Sequence, residues 1–92
     1  MGQLFDDIKR AVRAERYVIS DHADERLRER KIELWQIISG LESGKLLQER
    51  PRSTPLPTAE VEQLLADGTA VKAVRAHVEP LDAAKLVTVH LV

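Results

Sequence analysis

The sequence of 92 residues contains no cysteine, which excludes disulfides and thiolate metal sites and is compatible with the cytoplasm. It has only three aromatic residues, Phe5, Tyr17 and Trp35. Because readers of single-stranded RNA usually stack bases on aromatic side chains, an RNA-binding platform is not favoured. No apolar run is long enough to cross a membrane, and the first residues lack the basic and apolar regions of a secretory signal. These absences predict a cytoplasmic domain without membrane contact.

Neither sign of charge is in large excess, since 14 lysines and arginines face 15 aspartates and glutamates. This balance argues against a protein that coats nucleic acid through bulk charge, although a cleft that grips one or two phosphates remains compatible with it. The three histidines form no pair at a recognised metal-ligand spacing, and glycine-rich phosphate loops and a Ser-His-Asp signature are missing. The sequence therefore predicts no metal site and no cofactor.

Apolar spacing and turn residues divide the chain into helices followed by strands. The predicted helices cover about residues 3–15, 21–31 and 33–42, and the predicted strands about 45–50, 59–66, 69–78 and 85–91. Residues 17–19 form a β-favouring link that is a candidate edge strand. Helices followed by an antiparallel meander indicate the α+β class. We expect a single domain over residues 1–92, with the helices packed on one face of a four-stranded sheet.

Period-two alternation along the last two strands predicts one apolar and one polar face. The predicted apolar face holds Val74, Ala76, Val78, Val87, Val89 and Leu91. The predicted uncovered face holds Arg75, His77, Thr88 and His90. This grouping depends on regular pairing, because a one-residue bulge changes which side chains share a face.

The segment over residues 19–32 is the most informative for function, since His22, Arg26 and Arg30 recur every four residues. Side chains four apart share a helix face, so an imidazole and two guanidiniums form one stripe. Histidine suits acid or base work near neutral pH, and the arginine fork donates two parallel hydrogen bonds to a phosphate. A solvated helix face, with the arginines paired to neighbouring glutamates, is the open alternative.

The chain resembles a family of domains of unknown function, DUF4258. The likeness rests on the pattern His-Ala-x-x-Arg-x-x-x-Arg over residues 22–30, on the turn at 67–69 with the strand at 71–74, and on the closing strand at 85–89. It spans nearly the whole chain. It implies an α+β fold similar to the barnase, EndoU, colicin and RelE ribonucleases, and a toxin-like, metal-independent ribonuclease activity that is sometimes encoded beside a small antitoxin. That activity is an expectation by fold-level analogy.

Carried over to this sequence, the resemblance matches His22, Arg26 and Arg30 to the helical motif of the family and Thr88 to its threonine on the last strand. His90 stands where many members have an aromatic residue. The candidate catalytic residues are His22, Arg26, Arg30, Thr88 and His90, and the candidate substrate-binding residues are Arg75 and His77.

Cleavage of RNA by this route needs a base for the ribose 2′-hydroxyl, an acid for the leaving oxygen and cations for the developing charge, and it leaves a 2′,3′-cyclic phosphate. Which histidine is base and which is acid stays open. The helical stripe and the strand residues can meet only if the second helix begins at the sheet rim and projects His22 around it, and otherwise the composite site fails. The alternatives are an inactive descendant of such an enzyme and a non-catalytic interaction domain, whose exposed sheet face pairs with a partner or with a second copy.

Overall fold

The computed structural model describes residues 3–91 and contains one layer of helices on one face of a five-stranded sheet. The helices are α1 (Gln3–Arg13), α2 (Asp21–Arg30) and α3 (Leu34–Ser39). The strands are β1 (Tyr17–Ile19), β2 (Lys45–Arg50), β3 (Thr58–Leu64), β4 (Ala70–Val78) and β5 (Ala83–Leu91). None of the described helices has the length and apolar character needed to cross a membrane.

The sheet has the strand order β1-β5-β4-β3-β2, so the prediction of four strands is wrong by one. The added strand, β1, pairs in parallel with β5, with Tyr17 opposite Ala84 and Ile19 opposite Leu86. All other neighbours are antiparallel. A three-residue strand is too short for an alternation signal, and its partner lies far along the chain. For that reason the sequence marks it only as a candidate edge strand.

Two apolar clusters join the helices to the sheet. The first joins α1 to the strands through residues that include Phe5, Ile8, Ala11, Val12, Ala59, Val61 and Ala84. The second joins α2 and α3 to the strands through residues that include Ala23, Leu27, Ile37, Val71, Ala73, Leu86 and Val89. Spacings of three and four residues put each helical set on one side of its helix. Since Val61, Ala73 and Val89 lie opposite one another in the ladder, the helices cover a single face.

The predicted grouping of strand side chains by face is wrong for β4. Ala73 pairs with Val89 and Val74 pairs with Thr88, so Arg75 lies on the helix-covered face and Thr88 on the open one. His77 shares the covered face with Arg75, and His90 shares the open face with Thr88. The predicted cluster of four is therefore split between the two faces.

The reason lies in the composition of β4, which has apolar residues at both its odd-numbered and its even-numbered positions, and so on both faces. Val71 and Ala73 point to the helices, whereas Val74 and Ala76 point away from them. For such a strand, the sequence favours the assignment that leaves the charged Arg75 on the exposed face. Ala76 is nevertheless fully buried, and together with the proline-rich segment at residues 54–56 it lines a cavity of about 190 Å³ on this part of the open face.

Strand β5 contains a bulge at Val87. Thr88 lies opposite Val74 and Leu86 lies opposite Arg75, so Val87 has no partner of its own on β4. The extra residue lets Leu86 and Val89 face the helices although they are three apart. The bulge also leaves the Val87 carbonyl free to accept a hydrogen bond from outside the ladder.

Ser20 uses that carbonyl to fix the start of α2. Its hydroxyl donates to Val87 O at 2.8 Å and accepts from Ala23 N at 2.9 Å, while its own N–H donates to Leu86 O at 3.0 Å. The second of these contacts is an N-cap, which satisfies one of the unpaired donors of the first helical turn. The helix therefore begins at the rim of the sheet, beside the bulge.

The predicted helices run longer than the observed ones at their C-terminal ends. Helix α1 ends at Arg13, and Glu15 then adopts a left-handed backbone with φ 60°. Helix α2 ends before Lys31, whose φ of 56° is also left-handed. Helix α3 ends at Ser39 rather than near residue 42. The apolar stripe of α3 runs on to Leu41, whereas that of α1 ends at Val12, so apolar spacing does not by itself mark where a helix ends.

Candidate functional site

The two elements that carry the family-like positions pack on each other. Ala23 and Leu27 on α2 share a core cluster with Leu86 and Val89 of β5. Since β1 stops pairing at Leu86, α2 flanks β5 from the bulge onward. The second helix therefore begins at the sheet rim, but it packs on the helix-covered face, whereas Thr88 and His90 lie on the open face. We call this region, with His22, Arg26, Arg30, Thr88 and His90, the α2–β5 edge.

The helical stripe runs obliquely along α2. Each step of four residues advances about 40° around the axis, because the helix has about 3.6 residues per turn. His22 is exposed, Arg26 is half-buried, and Arg30 is exposed but lines a cavity beyond the end of the helix. The stripe therefore begins in solvent near the bulge and ends at that cavity.

Arg26 is only partly used by the fold. Its Nη1 donates to Glu29 Oε1 at 3.1 Å, as the solvated-face interpretation predicts, and both side chains are substantially exposed. An exposed pair at this spacing contributes little stability, about 0.2–0.5 kcal/mol. The Nε atom of Arg26, in contrast, is buried and has no hydrogen-bond partner among the described residues.

Thr88 has the same property on the neighbouring strand. The residue is 9% exposed, and its Oγ1 is buried without a hydrogen-bond partner in the described part of the chain. A buried polar group left unpaired costs about 1–3 kcal/mol, so native structures retain few of them. Arg26 Nε and Thr88 Oγ1 are therefore both buried without a hydrogen-bond partner within residues 3–91.

His90 lies one pleat beyond Thr88 on the open face and is exposed. It sits opposite Lys72 in the ladder, and Lys72 Nζ is 3.5 Å from Glu60 Oε1. The open face near His90 is therefore a mixed-charge surface rather than an apolar one. His90 and His22 stand on the two elements that form the edge.

Arg75 lies apart from the edge, beneath α3. It is 3% exposed, and its Nη2 donates to Ile37 O and to Gln63 Oε1, each at 2.9 Å. Gln63 Nε2 donates to the same carbonyl at 2.8 Å. Burial lowers the pKa of Arg75 to about 10, which still leaves it protonated at neutral pH. Its Nε also has no partner in the described chain, but solvent does not reach this side chain. Arg75 holds α3 to the sheet.

His77 belongs to a cluster at the opposite end of β5, which we call the Asp82 corner (Arg10, Arg16, His77 and Asp82). His77 Nε2 is 2.9 Å from Asp82 Oδ1, and Arg16 donates to both the carboxylate and the carbonyl of Asp82 at 2.9 Å. Arg10 Nη2 is 3.8 Å from the same carboxylate. The hydrogen bond from His77, and then the charges of Arg16 and Arg10, lower the pKa of Asp82.

Most of this corner has no signal in the sequence. The turn at residues 79–82 is recognisable from its proline, and the structure ends it with Asp82 at a left-handed φ of 46°. Arg10 and Arg16, however, reach Asp82 from more than sixty residues away. Pairs so far apart along the chain leave no local pattern in the sequence.

A comparison with known families bears directly on the edge. The family described as Domain of unknown function (DUF4258) matches residues 19–90. The chain belongs to the DUF4258 family. The match begins at the end of β1 and covers every residue of the α2–β5 edge, whereas α1 lies outside it. No curated protein and no solved structure matches the chain.

The DUF4258 domain thus has an α+β fold with its family-like positions at one edge and an ion-paired corner at the other end of the same strand. Within residues 3–91, no group of three or more histidine, aspartate or glutamate side chains is arranged to hold a metal ion.

Proposed function

We propose that this DUF4258 domain is an endoribonuclease similar to RelE-like toxins, which cleaves RNA without a metal ion at the α2–β5 edge. One observation carries the proposal. Arg26 Nε and Thr88 Oγ1 lie on adjacent elements, both stand at positions that resemble the family motif, and both are buried without a partner among the described residues. A ligand that pairs these groups would offset the cost of burying them.

The edge supplies the groups that the reaction requires. The ribose 2′-oxygen attacks phosphorus, the bond from phosphorus to the 5′-oxygen breaks, and the products carry a 2′,3′-cyclic phosphate and a 5′-hydroxyl. A base takes the proton of the 2′-hydroxyl, and an acid gives a proton to the leaving 5′-oxygen. Arg26 and Arg30 bind the phosphate oxygens, and the Thr88 hydroxyl donates to an oxygen whose charge increases in the transition state.

His22 and His90 are the pair of imidazoles that we assign to proton transfer. Both are exposed, whereas His77 is held by Asp82 at the other end of β5. One acts as base and the other as acid, and pH–rate profiles of the single variants distinguish the two assignments. Arg75 takes no part, because its guanidinium is buried beneath α3.

The charge of the chain limits the substrate contact to a short stretch of RNA. With a net charge of −1, the domain has no surplus of cations for a long phosphate track. A cytoplasmic ribonuclease of this kind also requires restraint, and a small antitoxin protein that covers the edge is the partner we infer from the family resemblance.

The test is RNA cleavage by the purified chain in EDTA, with the product ends identified. We expect cleavage to 2′,3′-cyclic phosphate ends by the wild type, and losses of about 10²–10⁴-fold in His22→Ala and Arg26→Ala. Arg28→Ala is the matched control, because Arg28 lies on the same helix, is 79% exposed and pairs with Asp24. The control should retain wild-type activity. Absence of cleavage by folded wild-type protein would contradict the proposal.

A second candidate function is a non-catalytic interaction domain, which one observation favours. Trp35 and Leu64 are 61% and 65% exposed. The Gln36 side chain accepts a hydrogen bond from Ala66 N at 2.8 Å, which ties α3 to the end of β3. Exposed tryptophan is a residue type enriched at protein interfaces. Concentration-dependent dimerisation that Trp35→Ala abolishes, in a protein without ribonuclease activity, would favour this function.

A further inference from the structure

A cavity of about 250 Å³ lies where the helical stripe ends. It is bordered by the C-terminal end of α2, the start of α3, the turn between β3 and β4, and the last residues of β5. Pockets for drug-sized ligands measure about 300–1,000 Å³. This cavity is smaller, and it suits a single planar ring system rather than a larger ligand.

The chemistry of the walls matches a nucleobase. Ile32, Leu65 and Leu91 supply an apolar surface, while Arg30 and Lys31 stand at the helix end. Apolar walls with a few converging polar groups are typical of small-molecule sites. Guanidinium planes and apolar side chains stack on the faces of unpaired bases in RNA recognition. Arg30 therefore fits both the phosphate of the substrate and the ring attached to it.

Asp67 gives the cavity a selective acceptor. Its Oδ1 accepts the Thr69 N–H at 2.9 Å, and hydrogen bonds from Thr69 lower the pKa of Asp67. The carboxylate is consequently ionised at neutral pH and can only accept hydrogen bonds. Guanine presents two adjacent donors on its Watson–Crick edge, an N1–H and an amino group. Uracil presents one donor between two carbonyl oxygens, which a carboxylate repels.

The position of the cavity relative to the edge is also suitable. From His22 to Arg30 the helix advances eight residues, or about 12 Å. A strand of RNA whose phosphate meets Arg26 can therefore place a neighbouring base beyond Arg30. The stripe connects the two locations without a break.

We propose that the cavity at the end of α2 is a nucleobase subsite, which takes the base next to the cleaved phosphate and prefers guanine through Asp67. This proposal rests on the proposed ribonuclease function but predicts binding independently of cleavage. The cations come from Arg30 and Lys31, and the acceptor comes from Asp67.

The experiment is an NMR titration of the full chain with guanosine 3′-monophosphate, uridine 3′-monophosphate and, as a baseless control, ribose 5-phosphate. We expect the guanosine nucleotide to shift the amide signals of Ala66, Thr69 and Leu91, and to bind about tenfold more tightly than the uridine nucleotide. Ribose 5-phosphate should shift none of these three signals. In Asp67→Asn the preference for guanosine should fall to about twofold or less.

Two further variants separate this subsite from the catalytic edge. Ala66→Leu adds bulk at the rim of the cavity and should weaken guanosine nucleotide binding at least tenfold, whereas Ala14→Leu, at an exposed alanine that follows α1, should not. Binding at the cavity without any RNA cleavage would overturn the ribonuclease and leave the subsite. RNA cleavage with equal rates in wild type and Ala66→Leu, and no nucleotide shifts at the cavity, would overturn the subsite and leave the ribonuclease.

Discussion

The two ends of β5 lie beside similar side chains, but the polar atoms are paired at one end and partly unpaired at the other. At the Asp82 corner, His77, Arg10 and Arg16 converge on one carboxylate, which accepts hydrogen bonds from His77 and Arg16 and lies 3.8 Å from Arg10 Nη2. At the α2–β5 edge, Arg26 pairs with Glu29, but two buried polar atoms, Arg26 Nε and Thr88 Oγ1, have no partner among the described residues. The residue types at the two ends are therefore alike, and the pairing of their polar atoms is what differs.

From this difference we infer that the two ends of β5 have different roles, one in stability and the other in the proposed activity. Polar groups that are paired contribute to the free energy of unfolding, and those left unpaired detract from it. We therefore expect substitutions at the corner to affect stability and substitutions at the edge to affect activity. The following experiments test that expectation, beginning with the largest effect.

Thr88→Val should separate activity from stability most clearly. The change keeps the side-chain shape and removes a buried hydroxyl that has no partner in residues 3–91, so stability should stay the same or rise slightly. RNA cleavage should fall about a hundredfold, as for loss of one transition-state hydrogen bond. Chemical denaturation and cleavage rates provide the two measurements. A loss of stability would mean that the hydroxyl serves the fold, and the contrast between the two ends would fail.

Ser20→Ala should affect both properties, because Ser20 joins the edge to the sheet. It removes the N-cap of α2 and the hydrogen bond to Val87 O. We expect a loss of about 1 kcal/mol in the free energy of unfolding, measured by denaturant titration. Cleavage should also weaken, since the start of α2 carries His22. Ser39→Ala, where an exposed hydroxyl bonds within its own helix, is the control and should change neither. Full activity in Ser20→Ala would show that the cap does not position the edge.

Asp82→Asn should lower stability at neutral pH and leave RNA cleavage unchanged. The substitution removes the negative charge that His77, Arg16 and Arg10 share, but keeps the side-chain size. Thermal unfolding should show a lower Tm than wild type, while the cleavage rate at a temperature where both are folded stays equal. Equal Tm values would mean that the exposed pairs of the corner contribute nothing measurable.

The smallest effect is a pH dependence of that same difference. The pKa of Asp82 is lower in the folded chain than its ordinary value of about 3.9. Its contribution to stability is therefore fully present above that ordinary value and is lost as the pH falls through the folded-state pKa. The Tm of wild type and of Asp82→Asn should differ at pH 6 and converge in strong acid. A difference that stays constant with pH would indicate a cause other than the carboxylate charge.

The sequence predicted more of the fold than of the site. The helices follow from apolar spacing, and the strand at residues 45–50 lies where it was predicted because prolines end it. The sequence does not show which face of β4 meets the helices, because Val71 and Ala73 on one face are as apolar as Val74 and Ala76 on the other. A buried arginine also runs against the usual distribution of charge, and hydrogen bonds to the Ile37 carbonyl and to Gln63 offset part of the cost of burying Arg75 there.

The contacts that define the site are long-range, which explains why they were not predicted. No glycine marks the bulge at Val87 in the sequence, and the Ser20 hydroxyl that donates to the Val87 carbonyl lies sixty-seven residues earlier. The family resemblance named positions on α2 and β5 but said nothing of their environment. Which buried atoms are unpaired depends on packing, and packing is not visible in a motif.

The bulge at Val87 also limits how the length of β5 can vary. Before Val87 the even-numbered Ala84 and Leu86 face the helices, and after it the odd-numbered Val89 does. Loss of one residue at this point would restore regular alternation and leave every later side chain on its present face. Gain of one residue would make the spacing from Leu86 to Val89 four, which also keeps Val89 on the helix face, but it would move Thr88 two positions along β4, away from Val74, unless the bulge widened. We therefore expect related chains to tolerate a deletion here better than an insertion, whatever residue stands at position 87.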